Sequence, residues 1–310
     1  MAIWHCSGEK RLEGACFVQG AKNAVLPILA ASVVCPTETD LLNVPQLSDV
    51  EMSLRILRSL GCTAQQQEND VYIDSRALSS NVIPQSMMES MRSSVLFMGA
   101  LLARCGEVHL TLPGGCRLGA RPIDMHLDAM KALGASVEES GCEIVCRAEK
   151  LRGAHIRLPY PSVGATENII LASVLAPGRT TIVNAAREPE VADLVNFLNK
   201  AGARISGTSA PTIVIDGVKS LHGVEHTVIP DRILAATLMS ACAITGGEIE
   251  VKNLFPEHIM PTLPVFEEMG CNIDISNNSL YIKSPKRLNR VKKIETMAYP
   301  GFPTDCQAPV

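Results

Sequence analysis

The chain has 310 residues, 46% of them apolar, and a formal net charge of −4. That length suffices for two domains with real cores. The acidic balance excludes a general nucleic-acid-binding surface, so any anion site must be a local cluster of basic groups. Aromatic residues make up only 4%, which leaves the core to Ala, Val, Leu, Ile and Met. Eleven cysteines, an odd number without repeated CxxC pairs, argue against a zinc site and a disulfide framework and point to a reducing compartment. The longest apolar run, Ala24 to Cys35, carries Pro27 and is too short for a bilayer. It also starts too late, and lacks the basic lead, for a secretory signal. The expectation is a cytoplasmic protein with no membrane and no nucleic-acid partner.

Taken in order, the chain repeats. Four segments share a β-like run, a turn, an amphipathic helix, a glycine and a new strand. They run from Leu41-Leu42-Asn43-Val44-Pro45 to Leu60-Gly61-Cys62, and from His109-Leu110-Thr111-Leu112-Pro113 to Leu133-Gly134-Ala135. Two more run from Thr181-Ile182-Val183-Asn184-Ala185 to Ala201-Gly202-Ala203, and from Glu250-Val251-Lys252-Asn253-Leu254 to Met269-Gly270-Cys271. The closing glycines are 73, 68 and 68 residues apart, and each stands where a helix ends on a left-handed residue. Each unit opens with a further helix of small apolar residues, from about Ala21, Met91, Gly164 and Asp231. Ala24 to Ala30 is apolar nearly all round, as a buried helix should be. Alternation in Val71-Tyr72-Ile73-Asp74 and Leu280-Tyr281-Ile282-Lys283 supplies closing strands. The unit is therefore βαβαββ-like. A fifth unit starts at Gly301-Phe302-Pro303-Thr304-Asp305, with Asp305 read as the N-cap of its first helix. The expectation is that the chain is truncated, with ~100 further residues needed at this period. A solenoid scaffold is the competing reading, though solenoid periods are usually shorter.

One loop breaks the pattern. Leu112-Pro113-Gly114-Gly115-Cys116-Arg117-Leu118-Gly119-Ala120-Arg121-Pro122-Ile123-Asp124 sets a thiol among three glycines and two arginines. Guanidinium charge favours a thiolate there, and Cys116 is the candidate nucleophile or general acid/base. The loop lacks the ending of a P-loop and the context of a Rossmann fingerprint. Arg121-Pro122-Ile123-Asp124 then opens a helix whose start is a candidate anion site. Lys22 and Asn23 begin the first buried helix and Arg92 holds the matching place in the second unit, so basic groups gather at equivalent helix starts. His222 and His226 are read as structural, and Arg187-Glu188-Pro189-Glu190 as a turn and helix start.

These segments carry a resemblance. Gly20-Ala21-Lys22-Asn23-Ala24, Leu112 to Cys116 with Gly119-Ala120-Arg121-Pro122, Ser162-Val163-Gly164-Ala165-Thr166, Asn184 to Glu190, Pro230-Asp231-Arg232 and Phe302-Pro303-Thr304-Asp305 resemble the UDP-N-acetylglucosamine 1-carboxyvinyltransferases, the enolpyruvyl transferases of peptidoglycan synthesis. The match runs in order from about residue 8 to 310. The shikimate-pathway enolpyruvyl transferases share the fold, but Asn23 and Cys116 favour the peptidoglycan family.

The resemblance implies an α/β fold, the inside-out α/β prism, with two domains of three such units each. Residues 21–229 would form the domain that carries the Cys loop. Residues 1–20 with 230–310 would form part of the second. It implies transfer of the enolpyruvyl group of phosphoenolpyruvate to the 3-hydroxyl of UDP-N-acetylglucosamine with release of phosphate, and no cofactor or metal. Cys116 would be the general acid and Asp305 the base, one from each domain. Lys22, Asn23 and Arg92 would hold phosphoenolpyruvate and nearby phosphates. Arg121, Pro122, Ile123, Asp124 and Met125 would line the uridine site, and Ser162, Val163 and Gly164 would offer helix-start amides to the diphosphate. Tyr160 departs from the lysine of some members. A non-catalytic UDP-sugar-binding relative is the alternative.

Overall fold

A computed structural model describes residues 5, 8, 10–114, 123–208 and 210–310. The chain divides into two compact units: a contiguous one, Gly20–Ile229, and a split one, Met1–Gln19 with Pro230–Val310. The contiguous unit holds three repeats and the split unit one complete repeat.

Each repeat builds one sheet by the same rule. Its first strand pairs antiparallel with its last, and the last pairs antiparallel with the middle one. In the first repeat these are Glu38–Leu42, Asp70–Asp74 and Thr63–Gln67. In the second they are Glu107–Thr111, Glu143–Arg147 and Ser136–Ser140. In the third they are Arg179–Val183, Thr212–Asp216 and Ile205–Ser206. In the split unit they are Glu248–Lys252, Ser279–Lys283 and Asn272–Ile275.

The other edge of each first strand takes a parallel partner from outside its own repeat. His155–Arg157 serves the third repeat, and a single bridge from Val82 to His109 serves the second. The first repeat receives Glu225–Thr227, which returns from the far end of the unit and sets Glu225 opposite Asp40. The three repeats therefore close on themselves. In the split unit Glu13–Phe17 plays this part beside Glu248–Lys252. The returning strand is fixed from below by His226. This side chain is buried, its Nε2 lies 2.9 Å from Asp193 Oδ1, and its ring meets Phe197 edge-on. His226 is thus a structural histidine, while His222 is exposed beside the Gly223 carbonyl.

Two devices repeat with the sheets. The amphipathic helices end at Gly61, Gly134, Gly202 and Gly270, all with φ between +92° and +103°. In all four the glycine N–H bonds three residues back and the next N–H five residues back, a Schellman motif. The second device was not anticipated. Asn43, Asn184 and Asn253 directly follow the first strands and are left-handed, with φ of 60°, 62° and 57°. Each Nδ2 donates to the carbonyl just past the parallel strand, on Val228, Leu158 and Val18 respectively. Asparagine tolerates this conformation better than other L-residues, so one side chain fixes both the turn and the parallel partner. In the second repeat the matching residue is Leu112, 45% exposed, where the odd loop begins.

The small-residue helices Lys22–Ala31, Phe97–Cys105 and Val163–Ser173 pack together inside the contiguous unit. Gly99 permits the closest approach, since a Cβ there would lie 2.4 Å from the Asn168 carbonyl oxygen. One core joins this whole unit, from Ala21 to Val228, and a separate core fills the split unit.

Several expectations need correction. The second unit's opening helix starts as a 3-10 turn, Arg92–Leu96, after an extra helix, Gln85–Ser90. The fourth amphipathic helix is broken into Pro256–Ile259 and Leu263–Glu268 by two prolines that each start a helix. Its partner Arg232–Ile244 buries one face and leaves the other open, with Ile244 81% exposed, and among the described residues the split unit sets no second small-residue helix beside it. Asp305 is not an N-cap: it lies inside the 3-10 turn Thr304–Cys306, whose cap position is Pro303.

The asparagine device predicts a graded mutant series. Asn184→Gly loses only the hydrogen bond and should cost roughly 1 kcal/mol in urea unfolding. Asn184→Ala also forces alanine to positive φ and should cost about 1 kcal/mol more. Equal costs would contradict the backbone argument.

Candidate active site

Lys22 opens the helix Lys22–Ala31, which has no side-chain cap and no acid in its first turn. Such a start presents free N–H groups and a partial positive charge. The Lys22 ammonium is half-exposed, 3.4 Å from Asp49, and Asn23 follows it half-buried. Arg92 opens the 3-10 turn Arg92–Leu96 and is also half-buried.

The third helix start is Ser162–Gly164. Ser162 caps Val163–Ser173 by accepting from the Ala165 N–H at 3.4 Å. The Val163 and Gly164 amides have no acceptor among the described residues. Asp231, by contrast, caps its own helix by accepting from Ile233 and Leu234, so that start has no such vacancy. The helix Asp124–Ala132 begins with an acid, with Ile123 buried, Asp124 exposed and Met125 half-buried.

His126, in the first turn of that helix, joins these pieces. It is 6% exposed. Its Cε1 and Nε2 would lie 3.3 and 3.6 Å from a Cβ on Gly164, so the ring sits in close contact with the helix start. Burial and then the Arg92 charge push its pKa down to about 4. The structure thus brings Arg92, Ile123 to Met125 and Ser162 to Gly164 around one neutral imidazole. Lys22 and Asn23 sit on the neighbouring helix of the same core. Asp305 belongs to the split unit and is exposed. Cys116, Arg121 and Pro122 lie outside the described residues. Tyr160 is 57% exposed just ahead of Ser162.

Cys105 and Cys142 are exposed, but the buried thiols behave as small hydrophobes. Burial pushes Cys35 up to about 12 and Cys62 and Cys146 up to about 11, which suppresses their thiolates.

Reading the sequence missed His126, Asn168 and Glu167. The signal was available: Thr166-Glu167-Asn168 is a polar run inside a helix otherwise apolar all round, and buried polar groups need partners. Asn168 is fully buried and bonds Gly99, Val95 and His126. Glu167 is buried too, and burial with Glu190 and Glu188 nearby raises its pKa well above the usual carboxylate range, so it stays protonated.

Comparison with known proteins places the chain in a family. The family of EPSP synthase (3-phosphoshikimate 1-carboxyvinyltransferase) matches residues 6–310. UDP-N-acetylglucosamine 1-carboxyvinyltransferase 2 of Caldanaerobacter subterraneus is 47% identical over 307 residues, 99% of this chain and 74% of that protein. The chain belongs to the UDP-N-acetylglucosamine 1-carboxyvinyltransferase family. A family member from Staphylococcus aureus, UDP-N-acetylglucosamine 1-carboxyvinyltransferase 1, is 45% identical over 305 residues, 97% of this chain and 72% of its own length. The fold is that of enolpyruvyl transferases. The enolpyruvyl transferase NikO from Streptomyces tendae superposes with a TM-score of 0.85 at 22% identity, covering 97% of this chain and 72% of that one. EPSP synthase from Acinetobacter baumannii gives 0.70 at 20% identity, covering 89% and 65%. Membership in this family makes the chain a transferase by descent, and no described helix is long and apolar enough to cross a membrane.

The buried imidazole predicts a pH dependence of folding. His126 titrates lower when folded than when unfolded, so its contribution is complete above pH 6.5 and is lost as pH falls toward about 4. The full loss is on the order of 3 kcal/mol. Glu167 acts in the opposite sense, so the measurement is the difference between the parent and His126→Asn. That difference should shrink on acidification across this window. A pH-independent difference would contradict a buried neutral His126.

Proposed function

We propose that this chain transfers the enolpyruvyl group of phosphoenolpyruvate to the 3-hydroxyl of UDP-N-acetylglucosamine and releases phosphate, opening peptidoglycan synthesis in the cytoplasm. The observation that carries this is the 47% identity to a UDP-N-acetylglucosamine 1-carboxyvinyltransferase along 99% of the chain. The geometry agrees in kind. Both substrates are anions, and three helix starts of the contiguous unit offer cations or free amides within a net acidic protein.

In this reading Lys22, Asn23 and Arg92 hold phosphoenolpyruvate and the adjacent phosphates. The Val163 and Gly164 amides take the diphosphate, with Ser162 holding their helix turn. Arg121, Pro122, Ile123, Asp124 and Met125 line the uridine site. Cys116 gives its proton to the methylene carbon of phosphoenolpyruvate, and the sugar 3-hydroxyl adds to the neighbouring carbon while Asp305 takes the hydroxyl proton. Loss of a proton from the new methyl group then expels phosphate and restores the double bond. General acid and base catalysis of this type contributes about 10²–10⁴-fold.

The test is phosphate release with both substrates and with each alone. Release should require both. Cys116→Ser should lower kcat by about 10²-fold or more while UDP-N-acetylglucosamine still binds, and Lys22→Ala should chiefly weaken phosphoenolpyruvate. Binding of both substrates without release would contradict the transferase reading.

A further inference from the structure

Asn168 reaches across three helices from the middle of Val163–Ser173. Its Oδ1 accepts the Gly99 N–H at 2.7 Å, on Phe97–Cys105. Its Nδ2 donates to the Val95 carbonyl at 2.8 Å and lies 2.9 Å from His126 Nδ1, on Asp124–Ala132. These contacts leave the amide one orientation. A backbone N–H only donates, so the atom facing Gly99 must be oxygen. A backbone carbonyl only accepts, so the atom facing Val95 must be nitrogen. That nitrogen has no lone pair to offer His126, hence Nδ1 must accept and carries no proton. A neutral imidazole then bears its proton on Nε2.

Nε2 is the atom that faces the helix start. The Cε1–Nε2 edge lies against Gly164, and Nε2 has no hydrogen-bond partner among the described residues. Beside it stand the free amides of Val163 and Gly164, and Arg92 is close enough to be felt by the ring.

We propose that Asn168 is a positioning residue that holds His126 in its Nε2–H form, so that a neutral, permanently oriented donor joins the Val163 and Gly164 amides in binding an oxyanion of the nucleotide diphosphate. This rests on the reading of the site given above. A neutral donor suits the place. An imidazolium beside Arg92 would be repelled, and the opposite tautomer would aim a lone pair at an anion. The device gives the buried asparagine of this helix a role: Asn168 bonds to neighbouring elements through both amide atoms and leaves the His126 Nε2–H toward the helix start.

The experiment combines nitrogen NMR of the histidine-labelled chain with calorimetry against UDP-N-acetylglucosamine. His126 signals are identified by their loss in His126→Asn. The parent should show an unprotonated Nδ1 and a protonated Nε2 at neutral pH, and it should bind the nucleotide. Asn168→Asp can only accept, so it should move the proton to Nδ1 or charge the ring, and it should weaken binding about tenfold or more. His126→Asn keeps an acceptor for Asn168 but has no Nε2–H, and it should weaken binding similarly in a folded protein. His126→Gln, whose amide nitrogen reaches the Nε2 position, should restore part of the affinity. An Nδ1–H form in the parent overturns the proposal. So does unchanged affinity in a folded His126→Asn chain, whether or not Asn168→Asp folds. A parent that shows the Nε2–H form but binds no nucleotide sinks the reading of the site itself, and the donor role falls with it.

Discussion

The structure depends on one pairing, repeated: the first strand of each repeat borrows a parallel partner from elsewhere in the chain. A three-stranded antiparallel sheet with a helix on one face leaves an edge and a buried helix without a second side. Taking the parallel strand from outside the repeat covers the edge and commits the helix to a shared core. The long closure, Glu225–Thr227 against Glu38–Leu42, spans almost the whole contiguous unit. Its loop entropy is unfavourable but grows only with the logarithm of length. The buried His226–Asp193 contact and the Asn43 bond to Val228 hold that closure where it is most exposed to fraying.

With this scaffold, the proposed site lies where the repeats differ. The three strand ends that carry asparagine are tied down in one conformation. The second repeat has leucine there, a single bridge instead of a parallel strand, and Gly114 pressed so close to Glu89 that a Cβ would stand 2.0 Å from its carbonyl oxygen. The helix starts differ likewise. Asp231 takes two amides of its own helix start, whereas Lys22–Ala31 has no side-chain cap and the Val163 and Gly164 amides stay open among the described residues. A protein of net charge −4 can bind two anionic substrates because the charge that matters is local.

Much of this was legible in the sequence because it is local. The closing glycines announced the helix ends, and all four proved to be Schellman caps, since their hydrogen bonds span only five residues. The βαβαββ-like order followed from apolar periodicity, and the order of the motifs named the family. What escaped is non-local or small. A three-residue strand such as His155–Arg157 has too few residues to show a period. The asparagines stood within the quoted repeats, yet their meaning depends on a carbonyl 185 residues away for Asn43 and 235 for Asn253. Asp305 was misread as a cap because the sequence of a helix start and of a 3-10 turn are alike. His126 was passed over because its neighbours in sequence do not show that Asn168 lies across from it.

The most direct measurement is amide hydrogen exchange of the chain with and without UDP-N-acetylglucosamine. The account predicts that ligand slows exchange at Val163, Gly164 and the segment 123–126, while the amides of Val44, Ala185 and Leu254, already bonded beside the asparagine turns, do not change. Protection spread evenly over the equivalent positions of all four repeats, or confined to the split unit, would contradict the claim that the departures from the repeat make the site.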